Sequence, residues 1–246
     1  MLTIDLIREA ATRIAGRVHR TPVVTSRSFN EVAGCEVFFK CENLQRGGSF
    51  KARGATNKIL SLNDDERERG VIAVSSGNHA QAVALAARAA GTRAVICLPE
   101  DAQKMKVAAT RGYGADIRFF NRHKDDRDVF GREIAERENV VMVPGYDDYL
   151  TMAGQGTCGL EFLEEIPDLD SIMTACSGGG LFAGVSSAAK AIKGDVFFSL
   201  PPYREARWLR TVLLNPHCDE QFVDRVFENV DSFAEQTRLE AKGTEP

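Results

Sequence analysis

Apolar residues recur every three to four positions at the start of the chain: Ile4, Leu6, Ile7, Ala10, Ala11, Ile14 and Ala15. That spacing predicts an amphipathic helix over residues 3 to 16. Pro22 opens a short extended piece, Val23-Val24, and Val37-Phe38-Phe39 is an apolar run of strand type. Lys51 to Leu62 reads as a helix, and the charge run Asp64 to Arg69 as a solvated helix end. From there the pattern alternates. Strands are predicted at Val71 to Ser75, Ala94 to Leu98, Ile117 to Phe120, Val140 to Val143, Ile172 to Cys176 and Val196 to Leu200. Between them lie predicted helices: His79 to Ala90 (closed by Gly91), Lys104 to Arg111, Asp128 to Glu138, Gly154 to Glu165 and Leu181 to Ile192. Short strands that are apolar on both faces and separated by helices predict an α/β fold with parallel sheets covered on both sides. Further on, Phe222, Val223, Val226, Phe227, Val230 and Phe233 have helical spacing.

Composition narrows the picture little. The 246 residues leave room for one large domain or two modest ones, and 43% hydrophobic residues is ordinary. A net charge of -4 gives no reason to expect nucleic acid. No apolar run is long enough to span a bilayer and no signal peptide stands at the start, so no membrane partner is expected. Cys35, Cys41, Cys97, Cys158, Cys176 and Cys218 form no Cys-x-x-Cys pair and have no histidine at zinc-finger spacing. They read as reduced core residues of a cytoplasmic protein without a metal site.

Three stretches suggest chemistry. In the first, Gly47-Gly48-Ser49-Phe50-Lys51, the glycines permit a sharp turn and Ser49 is a candidate N-cap. Lys51 then falls in the first helical turn, where the dipole opposes a positive charge. That suits an amine that must be neutral to attack a carbonyl; the plain alternative is a solvated surface lysine. The second stretch, Ser75-Ser76-Gly77-Asn78-His79, joins a strand to a helix. Its free N–H groups could hold a carboxylate, and the plain alternative is a Ser/Asn helix cap with His79 packed. The third, Ser177-Gly178-Gly179-Gly180-Leu181, lets backbone approach a phosphate at a helix N-terminus. It lacks the Gly-Lys-Ser/Thr of a nucleotide P-loop. Gly178, Gly180 and Gly184 make a loose dinucleotide pattern, yet Ser199-Leu200 offers no acid for a ribose. An aldehyde-binding lysine, a phosphate cradle and a carboxylate cradle together fit pyridoxal 5'-phosphate and an amino-acid substrate.

Gly48 to Ala55 (Gly-Ser-Phe-Lys-Ala-Arg-Gly-Ala), Ser75 to Ala82 (Ser-Ser-Gly-Asn-His-Ala-Gln-Ala), Ala153-Gly154-Gln155-Gly156-Thr157 and Ser177 to Leu181 occur in that order. Together, from about Thr3 to Val196, they resemble the serine/threonine dehydratase and serine racemase branch of the fold-type II (tryptophan synthase β-like) pyridoxal-phosphate enzymes. Lys51-Ala52-Arg53 and Asn78-His79 favour this branch over cysteine synthases. The resemblance implies that Lys51 holds the cofactor aldehyde and moves the substrate Cα proton. It implies that Phe50 packs on the cofactor ring, Asn78 bonds the ring hydroxyl and Ser177, Gly178, Gly179, Gly180 and Leu181 bind the phosphate. Ser75, Ser76, Gly77, Asn78 and His79 would hold the substrate carboxylate. Ser76, alanine in many threonine deaminases, would be an acid-base group on the face opposite Lys51. The implied reaction is β-elimination of a small hydroxy amino acid such as serine, threonine or 3-hydroxyaspartate to a 2-oxo acid and ammonia, with serine racemisation beside it, in a homodimer.

The implied fold is two parallel-sheet domains: a larger cofactor-binding one from residues 1–49 with 150–200, and a smaller one, 50–149. After Leu200 the chain reads Pro201-Pro202 where the family continues Val-Glu-Pro, and residues 201–246 carry no family motif. No late Ser-Gly segment meets the ring nitrogen. The larger domain is therefore expected to be incomplete, and the protein to be poorly stable, aggregation-prone or dependent on a partner chain, and weak or inactive as a dehydratase. A truncated product, a frame-shifted tail and a variant domain all fit. So do three functions: an active dehydratase, a non-catalytic relative that binds cofactor or a partner chain, and a dinucleotide-dependent oxidoreductase.

Overall fold

The computed structural model describes residues 1–194. The predicted strand Val196 to Leu200, the helical spacing at 222–233 and the divergent segment 201–246 lie outside the described residues. These fall into two units: Met1–Thr21 with the described part of Glu42–Val196, and Pro22–Cys41.

The chain opens with α1 (Ile4–Ile14), capped by the Thr3 hydroxyl, which accepts from the Leu6 N–H. The smaller unit follows. Its strands β1 (Val23–Thr25) and β2 (Phe38–Lys40) pair antiparallel, with Val23 opposite Lys40. Between them lies α2 (Arg27–Ala33), which the hydrophobic pattern does not announce; Ser26 caps it and Gly34 ends it at φ +65°.

In the larger unit, α3 (Lys51–Leu60) ends two residues earlier than its apolar pattern suggests. Asp64–Arg69 is a short helix of its own, α4, opened by a reciprocal Asn63–Glu66 capping box. Then β3 (Val71–Val74), α5 (Asn78–Ala90), β4 (Ala94–Pro99), α6 (Lys104–Gly112), β5 (Asp116–Phe120), α7 (Arg127–Glu138) and β6 (Val141–Met142) follow in order. The strands form one parallel sheet in the order β5-β4-β3-β6. Strand alternation divides its side chains between two cores. Val71, Ala73, Ala94, Ile96 and Leu98 pack with α3 and α5, whereas Ile72, Val95 and Cys97 pack with Ile134 of α7. This is the two-sided burial expected from the apolar strands.

Two helices complete the unit, α8 (Tyr149–Glu165) and α9 (Gly180–Lys193). The α8 helix begins five residues before the predicted Gly154, because Asp148 caps it by accepting from the Thr151 N–H at 2.8 Å. Ile7 and Ala10 of α1 pack with Ala153, Leu160 and Ala188 of α8 and α9. The predicted strand Ile172 to Cys176 is not a strand. Apolar residues alone do not make one without a hydrogen-bonded neighbour, and no described strand pairs with this segment. No described helix is long and apolar enough to cross a membrane.

Candidate active site

Strands β3 and β6 are neighbours, with Val71 opposite Val141 and Ile72 opposite Met142. Both therefore release their chains at the same, carboxyl edge of the sheet, where parallel sheets bind ligands. From β3 comes the loop 75–79 and from β6 the segment 143–146.

Lys51 is the first residue of α3, as the sequence suggests, after Gly47 and Gly48 at φ +67° and +73°. Ser49 is not its side-chain cap. Its backbone is extended, the cap position belongs to Phe50, and no side chain caps this helix. The Ser49 carbonyl instead accepts from the Ala52 N–H, in a tightened first turn. Lys51 is half-buried; its Nζ lies 5.3 Å from the centroid of the Phe50 ring and donates to the Gly145 carbonyl at 2.5 Å.

In the second loop, the Ser75 hydroxyl accepts from the Gly77 N–H at 3.2 Å. Ser76 is half-buried and Asn78 exposed. No side chain caps α5, and the space beside Gly77 is open. His79 is buried; its Nε2 lies 2.8 Å from the Val143 carbonyl and its ring packs against Gly145. Because a carbonyl can only accept, Nε2 carries the proton. Burial, and secondarily the charge of Lys51, push this imidazole down to about 4 against the opposing pull of the Val143 bond, so it is neutral at pH 7.

In the third loop, Gly179 takes φ +86° and the helix that follows again has no side-chain cap. A β-carbon on Gly178 would lie 2.4 Å from the Tyr146 ring, and one on Gly180 would lie 3.0 Å from the Tyr146 Cα. Leu181 is half-buried. Segment 143–146 is thus the meeting point. Val143 holds His79, Gly145 holds Lys51 and Tyr146 covers the glycine loop. None of these three residues is evident from the sequence; Pro144-Gly145 after a strand is a turn signal and nothing more.

Behind Lys51 stands a buried ion cluster. Arg53, fully buried, donates to Glu42 through Nε (2.8 Å) and Nη2 (2.7 Å), and to Glu161 through Nη1 (2.7 Å) and Nη2 (2.9 Å). Burial alone would lower its pKa; the two carboxylates outweigh it and raise it. The Ala153 to Thr157 motif belongs to this scaffold. Thr157 accepts from Arg53 at 3.2 Å, Gln155 accepts from the Gly54 N–H at 3.3 Å, and Gly156 packs against Gly184.

The arrangement fits a phosphorylated aldehyde. Two helix N-termini leave their N–H groups uncapped by side chains, with open space beside Gly77 and Gly179. A lysine nitrogen stands at the segment that touches both loops.

A family model described as pyridoxal-phosphate dependent enzyme matches residues 14–202. An L-threo-3-hydroxyaspartate ammonia-lyase of Saccharomyces cerevisiae is 46% identical over 197 residues, 80% of this chain and 60% of that protein. A serine racemase of Schizosaccharomyces pombe is 46% identical over 188 residues, 76% of this chain and 58% of that protein. The solved structure of maize serine racemase superimposes with a TM-score of 0.76 at 44% identity, covering 78% of this chain and 58% of that one. The chain spans about 60% of the length of the curated relatives it matches.

Proposed function

Because the chain belongs to the family of pyridoxal-phosphate dependent enzymes, we propose that it is an ammonia-lyase. Its substrate would be a small hydroxy amino acid such as serine, threonine or 3-hydroxyaspartate, and its products a 2-oxo acid and ammonia. Serine racemisation is a second reaction of the same site. The observation that carries this reading is the convergence of Lys51, the loop 75–79 and the glycine loop on segment 143–146. Relatives of similar identity are named for both reactions.

Bound pyridoxal phosphate supplies the electron sink that makes a substrate Cα–H acidic. The residues of this chain do the rest. Ser177 to Leu181 offer main-chain N–H groups and the α9 dipole to the phosphate. Lys51 would hold the aldehyde and would take the proton from the substrate Cα. Phe50, already under the Lys51 Nζ, packs on the cofactor ring, and Asn78 bonds its hydroxyl. Ser75 to His79 receive the substrate carboxylate. Ser76 returns a proton on the opposite face when the substrate racemises. The proposal includes a smaller domain over 50–149, supported by the parallel sheet lying wholly within it, and a larger one over 1–49 with 150–200. It also includes a homodimer, supported by the resemblance, and a cytoplasmic site, supported by five cysteines outside disulfides among the described residues. Cys35 is exposed rather than a core residue.

The purified protein should absorb visible light, and borohydride should bleach that band and leave the label on Lys51. A label on Lys40 or Lys58, or none on a holo protein, sinks the assignment. A bleachable band without 2-oxo acid from any of the three substrates would place the chain among non-catalytic cofactor binders.

A further inference from the structure

His79 is the second residue of α5 and is only 7% exposed. The imidazole Nε2–H reaches the Val143 carbonyl at 2.8 Å, and the Nδ1 has no hydrogen-bond partner among the described residues. A β-carbon on Gly145 would lie 3.4 Å from Cδ2 of the same ring, so ring and turn are in van der Waals contact. Two residues past Val143, the Gly145 carbonyl accepts from the Lys51 Nζ. One side chain therefore pins the main chain that holds the reactive amine.

The chemistry of Lys51 makes that pin consequential. To take a proton, the amine must be neutral and must aim its lone pair at the substrate Cα. A carbonyl only accepts, so it engages an N–H and leaves the lone pair free to point elsewhere. Its position thus sets the direction of the lone pair, and small misplacements of a reacting group are costly in rate. A neutral imidazole does this without adding charge beside the lysine.

We propose that His79 is a positioning residue, whose Nε2–H holds the 143–145 turn so that the Gly145 carbonyl aims Lys51. The inference rests on the proposed role of Lys51. It differs from the reading in which the imidazole itself binds the substrate carboxylate; here only the His79 main chain is left for that task.

Gln and Asn separate the two. Glutamine carries an N–H out to the reach of Nε2, whereas asparagine reaches only the Nδ1 position. In cofactor-free protein, reductive methylation of Lys51 by formaldehyde and cyanoborohydride is followed by mass spectrometry. Displacing the acceptor takes one hydrogen bond from the amine, so His79→Asn and His79→Leu should speed labelling of Lys51 by roughly two- to tenfold, the worth of that bond. Lys58, held by Asp148, is the internal control, and His79→Gln should return most of the way to the native rate. In holo protein, Asn and Leu should lower kcat with little change in KM. A variant without a cooperative melt is set aside, and the Gln–Asn pair then decides. Equal Lys51 labelling in all variants, or a raised KM at native kcat, overturns the proposal. Failure of native Lys51 to take the borohydride label would instead remove the cofactor reading, while the methylation rates still report on the turn.

Discussion

A β-carbon built on Gly154 would lie 2.6 Å from the Cα of Gly54. Helices α3 and α8 thus cross backbone to backbone, immediately behind the lysine-bearing turn. The same β-carbon would lie 2.7 Å from the Arg53 carbonyl, which cannot swing away. Alanine normally favours a helix over glycine by about 1 kcal/mol. Here the overlap wins, and Gly154→Ala should lose about 1–3 kcal/mol. Gly112, at the end of α6, faces open space, and Gly112→Ala should gain up to about 1 kcal/mol. Thermal melts of both variants test the pair; a stabilising Gly154→Ala would contradict the crossing.

Arg53 should matter for stability as strongly as any core residue. Its guanidinium is 0% exposed, and its partners Glu42 and Glu161 are 14% and 16% exposed. Removing one member of such a cluster strands the charges that remain. Arg53→Met should lose about 3–5 kcal/mol in urea unfolding. Arg53→Lys should also lose stability, because one ammonium cannot span two carboxylates as the planar fork does. Adding Glu42→Gln and Glu161→Gln to Arg53→Met should recover part of the loss. A loss below about 1 kcal/mol, the scale of an exposed pair, would mean that the cluster is not buried in solution.

The pattern of residues reveals the sheet because its strands have two buried faces: Val71-Ile72-Ala73-Val74 can hardly be anything else beside Gly70 and Ser75. The helix carrying Lys51 is legible from the glycines that precede it. Partners distant in sequence are not. Nothing near Arg53 points to Glu161, which comes from α8, nor does Val143-Pro144-Gly145 advertise that its carbonyls will hold a histidine and a lysine. A main-chain acceptor has no letter. The start of α8 was hidden for a different reason: Gly154, Gly156 and Gly159 weaken the helical pattern, and only close approach to Gly54, Gly184 and Val185 explains them. Ile172 to Cys176 shows the opposite case, an apolar run with no paired neighbour among the described residues.

The neutral His79 predicts a pH dependence. Its folded pKa, about 4, lies below the ordinary 6.5. The unfolded chain therefore binds the extra proton more readily, and stability rises with pH across that interval. The contribution is fully present above pH 6.5 and is lost as pH falls towards 4; it is on the order of 3 kcal/mol. Melts of the native protein and of His79→Gln between pH 7 and pH 4 isolate it, since the carboxylates are common to both. The native protein should lose stability more steeply. Parallel curves would mean that the ring is charged or exposed in the folded state.

Ser76 offers the last test, because it would separate the two proposed reactions at one site. Elimination needs a proton taken from one face of the substrate, the task proposed for Lys51. Racemisation also needs a proton returned on the other face, by a positioned acid-base group worth about 10²–10⁴ in rate. Ser76 is half-buried between Ser75, which is engaged with Gly77, and the open space beside Gly77. Ser76→Ala should lower D-serine formation about a hundredfold more than 2-oxo acid formation from the same L-serine. Both products are read from one reaction mixture by chiral chromatography, so active-site concentration cancels in the ratio. An unchanged ratio with both rates reduced would make Ser76 a carboxylate contact only, and the proton for the second face would then have to come from another group.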